Sequence, residues 1–212
     1  MRRSSFSLRP LALLAGAIIL PSHLVADAQA IVVGPMEGTY AGMETDGFQF
    51  TPVAGFTITA LGVWGTALTN SHEVGLWGSA GDLLASEFVQ SGSQIGGFTY
   101  QTLASPVTVS AGQTYIVAAE MYGDPTGYEC LGTCTGDAID PLLSDVSARY
   151  NSGDTFTFPN NSWPHIDWGA NFLIQEATAP VPEPSSSGLL GGIIGFLVLS
   201  RRLKRRLLIP RT

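Results

Sequence analysis

The chain has 212 residues, 45% hydrophobic and 13% charged, with a formal net charge of −7. Nine of its ten basic residues lie before position 10 or after position 200; between Ile31 and Pro184 the single Arg149 stands against 16 carboxylates, a local net of −15. A surface of that sign repels nucleic acid and anionic lipid, so nucleic acid is not an expected partner; it favours solubility, cation binding or a metal-crosslinked matrix.

Arg2, Arg3 and Arg9 precede an apolar run at 11–20, and Ala26-Asp27-Ala28 and Ala28-Gln29-Ala30 follow as small-residue cleavage sites. This order predicts a signal peptide over 1–30. The apolar run is shorter than a stable membrane span needs. About 150 residues then remain before the C-terminal segments, enough for one domain with a real core.

Residues 31–179 show no long helical periodicity. Gly and Pro divide them into short alternating runs, which predict strands. Phe48 and Phe50 share one face. Phe56, Ile58 and Ala60 share another, and Leu61 and Val63 take over after a one-residue slip. The slip predicts a bulge beside Gly62. Val74 and Leu76 lead into a turn at 78–82, with 83–89 as the returning strand of a hairpin. Phe98 and Tyr100, then Val107 and Val109, then Tyr115, Val117, Ala119 and Met121 continue the alternation. Runs at 148–150, 156–158 and 166–174 complete nine or ten expected strands. The expected fold is all-β, an antiparallel β-sandwich of jelly-roll-like form.

Glu73-Val74-Gly75-Leu76-Trp77, Gly81-Asp82-Leu83-Leu84-Ala85-Ser86, the aromatic strand at 97–103, Pro106-Val107, and Ala111-Gly112-Gln113-Thr114-Tyr115-Ile116-Val117 form one pattern. It resembles a β-sandwich domain of unknown function found in bacterial surface proteins, over about Phe48 to Ala119. Leu76 and Leu83 are then expected to face a core across the hairpin. Gly81 and Gly112 suit turns with positive φ, and Tyr115 suits a buried ring with a bonded hydroxyl. The resemblance supplies no catalytic residues.

Residues 123–145 form the one long irregular insert. Its cysteines, Cys130 and Cys134, are expected to close a small disulfide loop, because an exported chain meets an oxidising environment. The insert also holds Asp124, Glu129, Asp137, Asp140 and Asp145 among several glycines. Ca²⁺ takes six to eight oxygen ligands, so these acids are a candidate calcium set; an EF-hand spacing is absent. A solvated acidic loop is the alternative.

Trp163-Pro164-His165-Ile166-Asp167-Trp168 gathers two indoles and a carboxylate. Sugars stack on exposed indoles, and carboxylates accept their hydroxyl hydrogen bonds. Strand alternation puts Trp163 and Asp167 on one face, with Trp168 toward the core. Trp77 should face away from the core side of Val74 and Leu76. Trp77, Trp163 and Asp167 are therefore the candidate glycan-binding residues, against the alternative that the rings cover a sandwich edge.

The C-terminus has three parts. Residues 180–187 form a Pro/Ser linker containing Pro182-Glu183-Pro184. An apolar stretch at 188–199 follows, then Arg201, Arg202, Lys204, Arg205 and Arg206. The order resembles the PEP-CTERM sorting tail of Gram-negative envelope proteins, with residues 188–206 as its hydrophobic segment and basic end. That resemblance implies export, transient residence in the inner membrane as a short hydrophobic helix, and an exosortase-type processing enzyme as partner. The basic end would stay cytoplasmic.

No G-x-S-x-G, H-E-x-x-H, P-loop or dinucleotide fingerprint occurs. The expected function is a non-catalytic surface or extracellular-matrix protein, structural or adhesive, needing no cofactor. The alternatives are a carbohydrate-binding module that contacts extracellular polysaccharide with or without Ca²⁺, and, third, a glycan hydrolase.

Overall fold

Alternating apolar side chains build two antiparallel sheets that close face to face on an aromatic core. The structure, a computed structural model, describes residues 27–34, 38–40, 42–129, 136–163 and 168–176. The expected signal-peptide core, linker and sorting tail lie outside them, as do Cys130, Cys134 and Asp167.

In chain order the strands are β1 (Ala28–Gln29), β2 (Ile31–Val32), β3 (Gly38–Tyr40), β4 (Glu44–Pro52), β5 (Phe56–Trp64), β6 (His72–Gly78), β7 (Leu83–Val89) and β8 (Ser93–Ile95). There follow β9 (Phe98–Val109), β10 (Tyr115–Glu120), β11 (Gly127–Glu129), β12 (Ala138–Ile139), β13 (Leu143–Ser152), β14 (Asn161–Ser162) and β15 (Ala170–Glu176). One sheet runs β1-β15-β5-β9-β8 and the other β14-β13-β4-β10-β6-β7. Two small ribbons, β11-β3 and β12-β2, complete the fold. The described residues form an all-β antiparallel sandwich. Among the described residues no helix is long and apolar enough to cross a membrane.

The faces follow from alternation. Phe48, Phe50, Val74, Leu76, Val117 and Ala119 point inward from the second sheet. Phe56, Ile58, Leu61, Val63, Phe98, Tyr100, Phe172 and Ile174 meet them from the first. Each fully buried side chain of this kind contributes about 1.5–3 kcal/mol. Tyr115 stacks on Phe50 with centroids 5.8 Å apart, and its hydroxyl accepts from the Ser110 amide at 3.1 Å. The turn glycines are as expected, with φ of 92° at Gly81 and 73° at Gly112.

Three expectations need correction. The bulge in β5 lies at Ile58/Ala60, not at Gly62. Gly62 has another role: a Cβ there would lie 2.4 Å from the Tyr100 ring, so the missing side chain admits that ring. Burial drives the Tyr100 phenol far above its ordinary range, and its hydrogen bonds with Gln29 and Asn171 offset only part of this. Leu83 does not face the core. A register shift at Leu76/Trp77 sets it opposite Trp77 on the outer face, half exposed, while Ala85 takes the place across from Leu76. The run 156–158 is not a strand; it crosses the outer face of the second sheet.

That crossing makes a second, smaller core. Trp77, Ile116 and Ala118 point outward, and Phe156 and Phe158 cover them. Gly75 leaves room for the Trp77 indole, since a Cβ there would meet the ring at 2.5 Å. Phe156→Ala is expected to cost about 1–2 kcal/mol, less than a central core ring, because the cover is only partly buried. It should also red-shift tryptophan emission as Trp77 gains water, which a fluorescence spectrum at constant folded fraction would read.

Candidate functional site

The candidate contact surface is the β13–β14 edge. Among the described residues β14 pairs with β13 at just Arg149↔Ser162 and Tyr150↔Asn161. The Trp163 amide still donates to the Ala148 carbonyl at 3.4 Å. Trp163 is 48% exposed, and its ring meets Tyr150 edge-to-face, with centroids 5.7 Å apart and planes at 84°. Such a contact orients the indole at small entropic cost and leaves about half of it open. On the opposite face of β13 the Arg149 guanidinium is held by the Gln49 side-chain oxygen, which accepts from Nε at 2.9 Å and also from Nη2.

The other candidate aromatic is placed differently. Trp77 points away from Val74 and Leu76, as alternation requires, but it is only 4% exposed. Phe156 covers it at 5.1 Å between centroids and Phe158 at 6.3 Å. It is a packing residue, not an open platform. Alternation gives the face of a side chain, but not whether a later loop will cover that face. Trp168 is buried, as expected, with its ring edge-on to Phe48 at 5.3 Å.

The acids of the 123–145 insert have separate positions. Asp137 accepts from the Gly34 amide at 2.6 Å and from the Trp168 indole N–H at 2.8 Å. It thereby ties the entry strand to a core ring. Asp140 accepts from the Leu142 amide at 2.8 Å and starts β13 through a side-chain turn. Asp145 is exposed in the β13 bulge, with φ of 52°. Glu129 pairs through its backbone with Gly38, and its side chain lies outside the described residues. Among the described residues no three His, Cys, Asp or Glu side chains come together as a metal site.

Asp124 is the unexpected one. It is nearly buried and accepts from the Thr69 amide at 2.9 Å, the Thr69 hydroxyl at 2.5 Å, the Asn70 amide at 2.7 Å and the Asn70 side-chain nitrogen at 3.3 Å. His72 Nε2 lies 3.1 Å from the same carboxylate. His72 is fully buried, and its Nδ1 is 2.8 Å from the Glu120 carbonyl oxygen. A carbonyl can only accept, so Nδ1 carries a proton. Burial alone would raise the Asp124 pKa, but the bonds from Thr69, Asn70 and His72 outweigh it and hold the carboxyl well below the usual range. The cluster fastens the β5–β6 connection to the chain leaving β10. Four donors from Thr69 and Asn70 already occupy the carboxylate, and the Thr69 hydroxyl is itself spent on Asp124. The burial of His72 was readable from its parity with Val74 and Leu76. Its partner, 52 residues away, was not.

A family model for a domain of unknown function, DUF4082, matches residues 37–169, more than half of the chain. The chain belongs to the DUF4082 family. No curated protein matches it. The DUF4082 match contains the Trp163–Tyr150 edge and the His72–Asp124 cluster. It stops just before β15, which supplies Phe172 and Ile174 to the core.

Proposed function

We propose that this DUF4082 protein is an exported, non-catalytic component of the cell surface or extracellular matrix, with a structural or adhesive role. The Trp163 indole carries the reading: it is half exposed and braced by Tyr150 at the sandwich edge. The sequence of the two ends supports the address. A signal peptide would start export, and the tail from Pro182-Glu183-Pro184 to Arg206 would be recognised by an exosortase-type enzyme. The −15 balance between Ile31 and Pro184 suits a hydrated, cation-rich matrix.

The same indole favours one second reading, a carbohydrate-binding module in which a sugar ring stacks on Trp163. The test is retention of the protein on a panel of polysaccharides, with calcium and with chelator. A glycan-binding domain would be retained on one glycan class, and Trp163→Ala would lose about tenfold or more in affinity. The same variant should cost at most about 1 kcal/mol in stability, because the indole is open to solvent. Retention that survives Trp163→Ala would remove Trp163 from the site. No retention at all would leave the structural role. Mass spectrometry of the mature protein checks the address: processing predicts a C-terminus short of Arg201, and an intact C-terminus would sink that part.

A further inference from the structure

Strand edges set the argument. The two main sheets end in four edge strands, β1, β8, β14 and β7. β1 and β14 have two residues each and β8 has three. Very short edge strands are one way proteins keep their edges from pairing with other chains. β7 is longer, with seven residues, Leu83–Val89, while β8 and β14 leave parts of β9 and β13 without an outer strand partner. Among the described residues it pairs only with β6, so the backbone groups on its other side form a row without a strand partner, near β9 of the facing sheet.

The side chains of β7 do not guard that row with apolar burial. Phe88 is 65% exposed, Leu83 50% and Leu84 43%. Phe88 is the most exposed large apolar side chain among the described residues. It sits opposite Glu73, whereas Glu87, the next residue, sits opposite Val74 and so takes the other face. Asp82 lies just before the strand. The edge therefore carries apolar anchors with carboxylates on both faces.

We propose that β7 is a docking edge for another protein, whose cationic extended segment adds as a further strand to the second sheet. Strand addition takes its affinity from main-chain hydrogen bonds and its specificity from alternate side chains. An apolar residue of the partner would cover Phe88, and Lys or Arg would meet Glu73, Glu87 and Asp82. Charge argues against a second copy as occupant. It would bring the same carboxylates, and Arg149, the one cation between Ile31 and Pro184, is four strands away on β13 and bonded to Gln49. Like charges across an interface select against that partner, and opposite charges speed the right one.

The test is fluorescence anisotropy of the full protein with a labelled short peptide of alternating Leu and Lys. Three controls run beside it: the Leu-Glu counterpart, a Leu-Lys peptide of equal charge interrupted by proline, and salt. The expected result is saturable binding of the Leu-Lys peptide alone, weakened by salt, with slowed hydrogen exchange at the β7 amides. Phe88→Ser should weaken it by about tenfold, and so should Glu87→Lys. Phe88 is exposed and Glu87 half-buried on the edge strand, so thermal melts of the variants should stay close to the parent. Equal binding of the proline-interrupted peptide would mean charge attraction without strand addition and would overturn the proposal. So would absence of binding, unchanged affinity in Phe88→Ser, or β7 amides protected by self-association at rising concentration.

Discussion

Asp124→Ala lowers the stability of the domain by about 3 kcal/mol, since several hydrogen bonds to one charged acceptor, each worth about 1.5–3 kcal/mol at most, are lost together. The carboxylate accepts four hydrogen bonds from Thr69 and Asn70 and faces His72 Nε2 at 3.1 Å, and its removal takes the acceptor from all of these contacts. For a domain of about 150 residues this corresponds to a fall of roughly 10 °C in Tm, readable by calorimetry. Asp124→Asn should cost less, since one oxygen remains, but its NH₂ must face a donor. A loss under about 1 kcal/mol would mean that water replaces the carboxylate and that the cluster is no staple.

The pH dependence follows from the same geometry. The folded carboxyl is held below its ordinary value, so the unfolded chain binds the extra proton first as pH falls. The stabilisation from Asp124 is complete above the unfolded pKa of about 4. It drains away as pH drops from there toward the lower folded value. Urea midpoints of the parent should therefore fall with acid in this range more steeply than those of Asp124→Asn. Parallel curves would contradict the assignment.

Phe172→Ala is expected to cost about 3–5 kcal/mol as well, for a different reason. The ring lies fully buried 4.8 Å from Phe50 and 6.1 Å from both Phe48 and Phe56, joining the two sheets. Truncation loses the transfer energy of the ring and leaves a cavity between the packed sheets that can collapse only in part. Denaturant unfolding should show a lower midpoint with an unchanged slope. Phe172→Leu, which keeps most of the volume, should recover more than half of the loss. The comparison with Trp163→Ala is direct: both remove an aromatic ring, but one is sealed between sheets and the other is half exposed against Tyr150.

The faces of most strands were legible in the sequence. Phe48 with Phe50, Phe56 with Ile58, and Val74 with Leu76 all turned inward, because the period-2 geometry of a strand leaves no other arrangement once one face is buried. The positive φ at Gly81 and Gly112 was legible too, since a residue without Cβ enters that region freely. Of the candidate site, Trp163 is exposed and Trp168 buried as expected, while the segment between them lies outside the described residues. The tertiary structure decided everything that depended on what lies across a gap in sequence. A register shift turned Leu83 outward. The segment at 153–160 covered Trp77, which parity alone had left open. Asp124, read as one of five loop acids, came to face a buried histidine on β6. Alternation is a local property of the chain and is written in it. Which strand ends a sheet, what covers a face, and which carboxylate meets which imidazole are set by contacts between residues tens of positions apart, and no local pattern encodes those pairings.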